Sequence, residues 1–151
     1  MQKGQIKTAT EKSNVMIHLE TQSVQEGEVN NLVQDVPGQF FNMGKTIYLR
    51  YQEKLKGQDP AMVTFKINAV GEIQLTRQQG QNRSQMFFVV NKKLEARYQT
   101  PYGVVPLITV TPKMNVTLSE YPVSGKVSID YDLISNGKGL GEYKIRLHFT
   151  A

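Results

Sequence analysis

Val63-Thr64-Phe65-Lys66-Ile67-Asn68-Ala69-Val70-Gly71-Glu72-Ile73-Gln74-Leu75-Thr76-Arg77 is the stretch that decides the fold. Val63, Phe65 and Ile67 alternate with Thr64 and Lys66, then Ile73 and Leu75 repeat the pattern after a turn. A period of two places successive side chains on opposite faces, which is the signature of a half-buried strand. Folding the chain about Ala69–Gly71 sets Ile67 opposite Ile73, Phe65 opposite Leu75 and Val63 opposite Arg77. Apolar meets apolar twice, and a guanidinium falls on the inward parity at the strand end. A slip of one residue would turn every side chain to the other face.

The same period spreads outward from this hairpin. Val15, Ile17 and Leu19 alternate with Met16, His18 and Glu20, and Ile47, Leu49 and Tyr51 with Tyr48, Arg50 and Gln52; Leu94, Ala96 and Tyr98 form another such set. Val127, Ile129, Tyr131 and Leu133 form another such set, followed by Tyr143, Ile145, Leu147 and Phe149. Met86-Phe87-Phe88-Val89-Val90 is apolar on both parities, so Phe87 and Val89 face outward and ask for cover, from a helix, a loop or a second copy in a homodimer. Gly71, Gly80, Gly103, Gly125, Gly137, Gly139 and Gly141 punctuate the runs and are read as turn residues. A turn about Gly137–Gly139 predicts Tyr131 opposite Ile145, Asp130 opposite Arg146 and Asp132 opposite Lys144. Residues 23–44 break the pattern and are expected to form a strand with a long loop and one helical turn.

Strict alternation belongs to antiparallel sheets with one face on a core, and closure removes exposed edges. The expected fold is therefore all-β: one antiparallel barrel of about eight to ten strands, forming a single domain over residues 1–151.

Composition narrows the function. The chain has 151 residues and no cysteine, which excludes a disulfide scaffold, thiolate metal sites and cysteine nucleophiles. Its opening residues, Met1 to Lys7, lead into no apolar run, and no stretch is apolar enough for a helical membrane span, so a cytoplasmic protein without a membrane partner is expected. The net charge of +5 is concentrated in residues 51–100, with Lys54, Lys56, Lys66, Arg77, Arg83, Lys92, Lys93 and Arg97. Such a surface would serve an acidic protein or RNA, but no strand interleaves aromatics for base stacking, and nucleic acid is not the expected partner.

No catalytic residues, cofactor or metal are expected. His18 and His148 lie on outward parities without converging ligands. Asp130 and Asp132 share one face, where Lys144 and Arg146 make them a charge ladder rather than an acid–base pair. Gly137-Lys138-Gly139-Leu140-Gly141 joins two strands, whereas a phosphate loop joins a strand to a helix. The inward set is more informative. Tyr51, Tyr98, Tyr131 and Tyr143 share its parity, with Arg77 near one end. A barrel bore is either filled by side chains or holds one small ligand. The expected site is a bore in which Tyr51, Arg77, Tyr98 and Tyr131 form a polar end and Phe65, Met86 and Phe88 the apolar walls, for a small apolar or amphipathic ligand.

Several segments, in order along the chain, also resemble one family. They are Ile47-Tyr48-Leu49-Arg50-Tyr51-Gln52-Glu53, Thr64-Phe65-Lys66-Ile67, Gly71-Glu72-Ile73-Gln74-Leu75-Thr76-Arg77, Met86-Phe87-Phe88, Thr100-Pro101-Tyr102-Gly103, Ile129-Asp130-Tyr131-Asp132-Leu133 and Gly141-Glu142-Tyr143. Together they resemble the YwiB-like family of uncharacterised bacterial proteins. The resemblance implies a calycin-like β-barrel, a group whose members often hold apolar small molecules in the bore. The chain has no Trp and so departs from the Gly-x-Trp signature of secreted lipocalins.

Overall fold

The computed structural model describes residues 10–151; the leader reading at Met1–Lys7 lies outside them. Ten strands follow one another: β1 (Thr10–Gln25), β2 (Glu28–Met43), β3 (Thr46–Glu53), β4 (Ala61–Ile67), β5 (Ile73–Gln79), β6 (Asn82–Phe88), β7 (Lys93–Thr100), β8 (Gly103–Glu120), β9 (Val123–Ser135) and β10 (Lys138–Thr150). Each pairs antiparallel with the next, and β10 returns to pair with β1, which closes the sheet into a barrel. No helix interrupts the described residues.

The deciding hairpin forms as its pattern requires: Ile67 faces Ile73, Phe65 faces Leu75 and Val63 faces Arg77. The last hairpin differs. Tyr131 faces Tyr143, Asp130 faces Lys144 and Asp132 faces Glu142, two residues from the expected register. The turn is Asn136-Gly137, both at positive φ, the geometry that a two-residue hairpin needs. A bulge beyond it, between Leu133 and Ile134, absorbs an extra residue of β10. A shift of two keeps every side chain on its face, and the Asp130–Arg146 ion pair still closes diagonally at 2.8 Å. Asp132 meets Glu142 instead of a lysine; partial burial and that like charge raise its carboxyl above the ordinary range.

Two other expectations are corrected. Residues 23–44 hold no long loop and no helical turn: β1 and β2 form one continuous hairpin about Glu26-Gly27. The alternation fails there because Glu28–Val33 is exposed on both faces, so neither parity has to be apolar. Gly125 is not a turn residue but lies inside β9 opposite Phe149. A Cβ there would stand 2.6 Å from the Phe149 ring, so the missing side chain makes room for that phenyl group.

Register sets the inward residues in rows across the sheet, and the rows grade in polarity. Ile47, Ile67, Ile73 and Phe88 form one row; Leu49, Phe65, Leu75 and Met86 the next; Tyr51, Val63, Arg77 and Ser84 the third. Along β1 the inward sequence is Val15, Ile17, Leu19, Thr21 and Ser23. One end of the barrel is therefore packed with aliphatic and phenyl groups. Phe149 stacks on Phe40 with centroids 5.8 Å apart, and Ile17, Leu49, Ile129 and Phe88 are fully buried. Burial of each such side chain contributes about 1.5–3 kcal/mol. The other end carries hydroxyls, amides and charges.

Candidate functional site

Barrel diameter grows with strand number, and about eight strands leave a bore just wide enough for side chains to fill. Ten strands enclose more than that, and the surplus collects at the polar end as a cavity of about 240 Å³. Its apolar wall comes from Leu19, Val63, Phe65, Leu75, Met86 and Ile145, and its aromatic wall from Tyr51, Tyr131 and Tyr143. Thr21, Ser23, Gln34, Glu53, Arg77 and Ser84 line it toward the mouth, joined by Gln22, Leu32 and Lys144.

The mouth lies where β2 parts from β3. Pairing between them ends at Gly38 opposite Tyr51, beside Pro37, which has no N–H to continue a ladder. Beyond that point, among the described residues, Glu28–Pro37 pairs with β1 alone. Side chains bridge the gap. Gln34 donates from Nε2 to Glu53 Oε2 at 3.2 Å, and Arg77 Nη2 donates to Glu53 Oε1 at 2.5 Å. Arg77 Nη1 reaches Gln79 Oε1 at 3.3 Å. The Glu53 side chain is only 10% exposed, so its charge depends on the guanidinium for compensation.

Tyr131 is held between two rings. Phe88 packs on one side with centroids 4.7 Å apart, and Tyr143 stacks nearly parallel on the other at 5.1 Å. Tyr143 in turn accepts a hydrogen bond from Gln25. Burial pushes the phenol pKa of both Tyr51 and Tyr131 well above its ordinary value, so both hydroxyls stay neutral. At Tyr51 the Glu53 carboxylate adds to that shift and Arg77 opposes it.

Of the residues that the sequence proposes, Tyr51, Phe65, Arg77, Met86 and Tyr131 line this cavity together. Phe88 does not: it is fully buried in the packed end and supports Tyr131 from behind. Tyr98 does not either. It faces Ser84 across the sheet, yet β7 meets β6 only from Arg97 to Gln99, and the residue is left 38% exposed at the margin. Glu53 lies outside the expected set, as do Gln34 and Ser84, although it continues the inward parity of Leu49 and Tyr51. Arg77, counted with the basic middle third, points inward. The remaining cations of that third are dispersed, with Lys54 and Lys56 after β3 at the open end and Lys92 and Lys93 near the opposite end. His18 lies on the outer wall between Asp35 at 2.7 Å and Glu20 at 2.9 Å. Phe87 and Val89 are half-buried on the outside, beside Lys66, Gln74 and Leu94.

The comparisons with known proteins agree with this architecture. Residues 17–147 match the model of a family described as a domain of unknown function, DUF1934. The chain belongs to that family. Among solved structures, the ywiB protein from Bacillus subtilis superposes with a TM-score of 0.79 at 19% identity, covering 93% of this chain and 92% of that one. At that identity the likeness carries the fold alone. No curated protein matches the chain.

Proposed function

We propose that this DUF1934 barrel is a non-catalytic binding module that holds a small, partly apolar molecule in the open end of its bore. The observation that carries this reading is the grading of the inward rows, from phenyl and aliphatic groups at one end to Tyr51, Glu53, Arg77 and Ser84 around a 240 Å³ cavity at the other. A cavity of about 150 Å³ suffices for benzene, and sites for drug-sized ligands begin near 300 Å³, so the volume suits one or two rings or a short branched chain. Apolar walls supply affinity through area removed from water, and a few fixed polar groups supply orientation. The lack of cysteine supports a reducing, cytoplasmic setting.

Methyl-labelled protein titrated with a small-molecule cell extract tests this. Shifts are expected at Leu19, Val63, Leu75, Met86 and Ile145, with none at Val127 or Ile67 in the packed end. Shifts confined to the outer surface near Lys54, Lys92 and Arg97, abolished by moderate salt, would instead assign the protein to a polyanionic partner.

A further inference from the structure

The charge at the mouth constrains the ligand more closely than its size does. Of the two cations on the lining, Lys144 is exposed to solvent and Arg77, on the inward row, is the one that an anionic head group inside the bore would meet, but Arg77 is already committed: one Nη to Glu53 and the other to Gln79. Glu53 is held from its second oxygen by Gln34 and is almost wholly out of water. An anion bound to Arg77 would have to share it with Glu53 or displace that carboxylate, leaving a buried charge uncompensated. A cation at Glu53 would meet the guanidinium in the same way. The Arg77–Glu53 pair is therefore electrically balanced, with Lys144 the other charged residue of the lining and itself exposed to solvent, while each partner of the pair keeps hydrogen-bonding capacity. A guanidinium carries five N–H donors and a carboxylate about four lone-pair positions, more than their mutual contacts use.

The walls add a shape. Tyr131 and Tyr143 lie within 14° of parallel, and the Phe65 and Tyr51 rings line the same cavity. Flat faces of this kind favour a flat guest, offset-stacked or edge-on. Neutral phenols at Tyr51 and Tyr131 add hydrogen-bonding hydroxyls but no charge.

We infer, on the reading that the cavity is a binding site, that its ligand is an uncharged, compact aromatic molecule whose edge carries an acceptor and a donor side by side. The acceptor takes a hydrogen bond from Arg77 and the donor gives one to Glu53. Carboxamides, lactams and heteroaromatic bases have this edge; carboxylates, phosphates and long-chain acids do not.

Benzamide, benzoate and toluene form a matched series that tests the assignment, because ring and size stay nearly constant while the edge changes. Binding is followed by methyl shifts at Leu75 and Met86 in the wild-type chain. Benzamide should bind at least tenfold more tightly than benzoate, with toluene between or below them. In Glu53→Gln, which frees Arg77, benzoate should gain at least tenfold and benzamide should lose its advantage. Benzoate equal to or tighter than benzamide in the wild type would overturn the inference and leave the cavity a binding site for anions. No shift with any of the three would instead overturn the cavity reading itself, and the inference with it. The wild-type ranking decides the matter whether or not Glu53→Gln folds.

Discussion

The two ends of the barrel are made from the same ten strands, and they solve the problem of a wide bore differently. At the packed end, Phe40, Phe88 and Phe149 fill the section, and Gly125 is reduced to backbone so that the Phe149 ring can fit. At the open end, the inward positions of the same strands carry Thr21, Ser23, Glu53, Arg77 and Ser84, and space remains between them. Interiors normally reach the packing density of organic crystals, so the unfilled half forgoes stability that the filled half retains. The stability lost at one end is what makes room for a guest, and the packed end supplies the rigidity that holds the mouth in shape.

Unequal substitution costs at the two ends would sharpen the contrast. Phe149→Ala removes a buried, stacked ring and should cost about 3–5 kcal/mol in urea unfolding. Met86→Ala, at a half-buried position beside existing space, should cost only about 1–2 kcal/mol by the same measurement. Equal losses would break the contrast. Gly125→Ala drives a methyl group into the Phe149 ring and should cost about 1–3 kcal/mol, read as a lowered midpoint with an unchanged slope. Glu53→Gln leaves Arg77 without its carboxylate. Because the Arg77 side chain is about one-third exposed, the cost should be near the lower end of the range for a broken charged hydrogen bond, about 1–2 kcal/mol, and replacing both partners with Met and Leu should recover part of it.

The smallest expected effect lies on the outer wall. Hydrogen bonds to Asp35, then to Glu20, raise the His18 pKa above the ordinary 6.5. Because the folded-state value is the higher one, the contribution to stability is fully present below about 6.5 and fades as pH rises through the raised value. An NMR titration should place His18 above the ordinary value, and Asp35→Asn should bring it down. Ligand binding at the mouth should be indifferent to that change.

Much of the fold is legible in the chain because a sheet with one buried face writes a period of two into its sequence. Val63–Arg77 discloses its register too, since a turn about Ala69–Gly71 aligns Ile67 with Ile73 and Phe65 with Leu75, as observed. Where neither face is buried, as along Glu28–Val33, the signal vanishes, so that residues 23–44 read as a strand with a long loop; in β8 the fully buried positions are Thr109 and Thr111, whose hydroxyls write no apolar alternation. The final hairpin lies two residues from the register that a turn about Gly137–Gly139 implies, because the chain turns at Asn136-Gly137 and a bulge follows. Inward parity brought Tyr51, Phe65, Arg77, Met86 and Tyr131 to one cavity, but parity is blind to height along the barrel. Phe88 therefore fell in the packed end, and Tyr98 on a strand with too little neighbouring sheet to cover it. Glu53 continues the inward parity of Leu49 and Tyr51, but its pairing with Arg77, two strands away, appears only once the strands are aligned.

Native mass spectrometry of the full chain, purified at low salt and exposed to a small-molecule cell extract, tests the central claim most directly. A discrete extra mass should accompany the native protein, disappear on denaturation, and be lost in Ser84→Phe, where a phenyl group plugs the open end. A bare polypeptide mass in both proteins, or an adduct that persists in the plugged variant, would contradict the account.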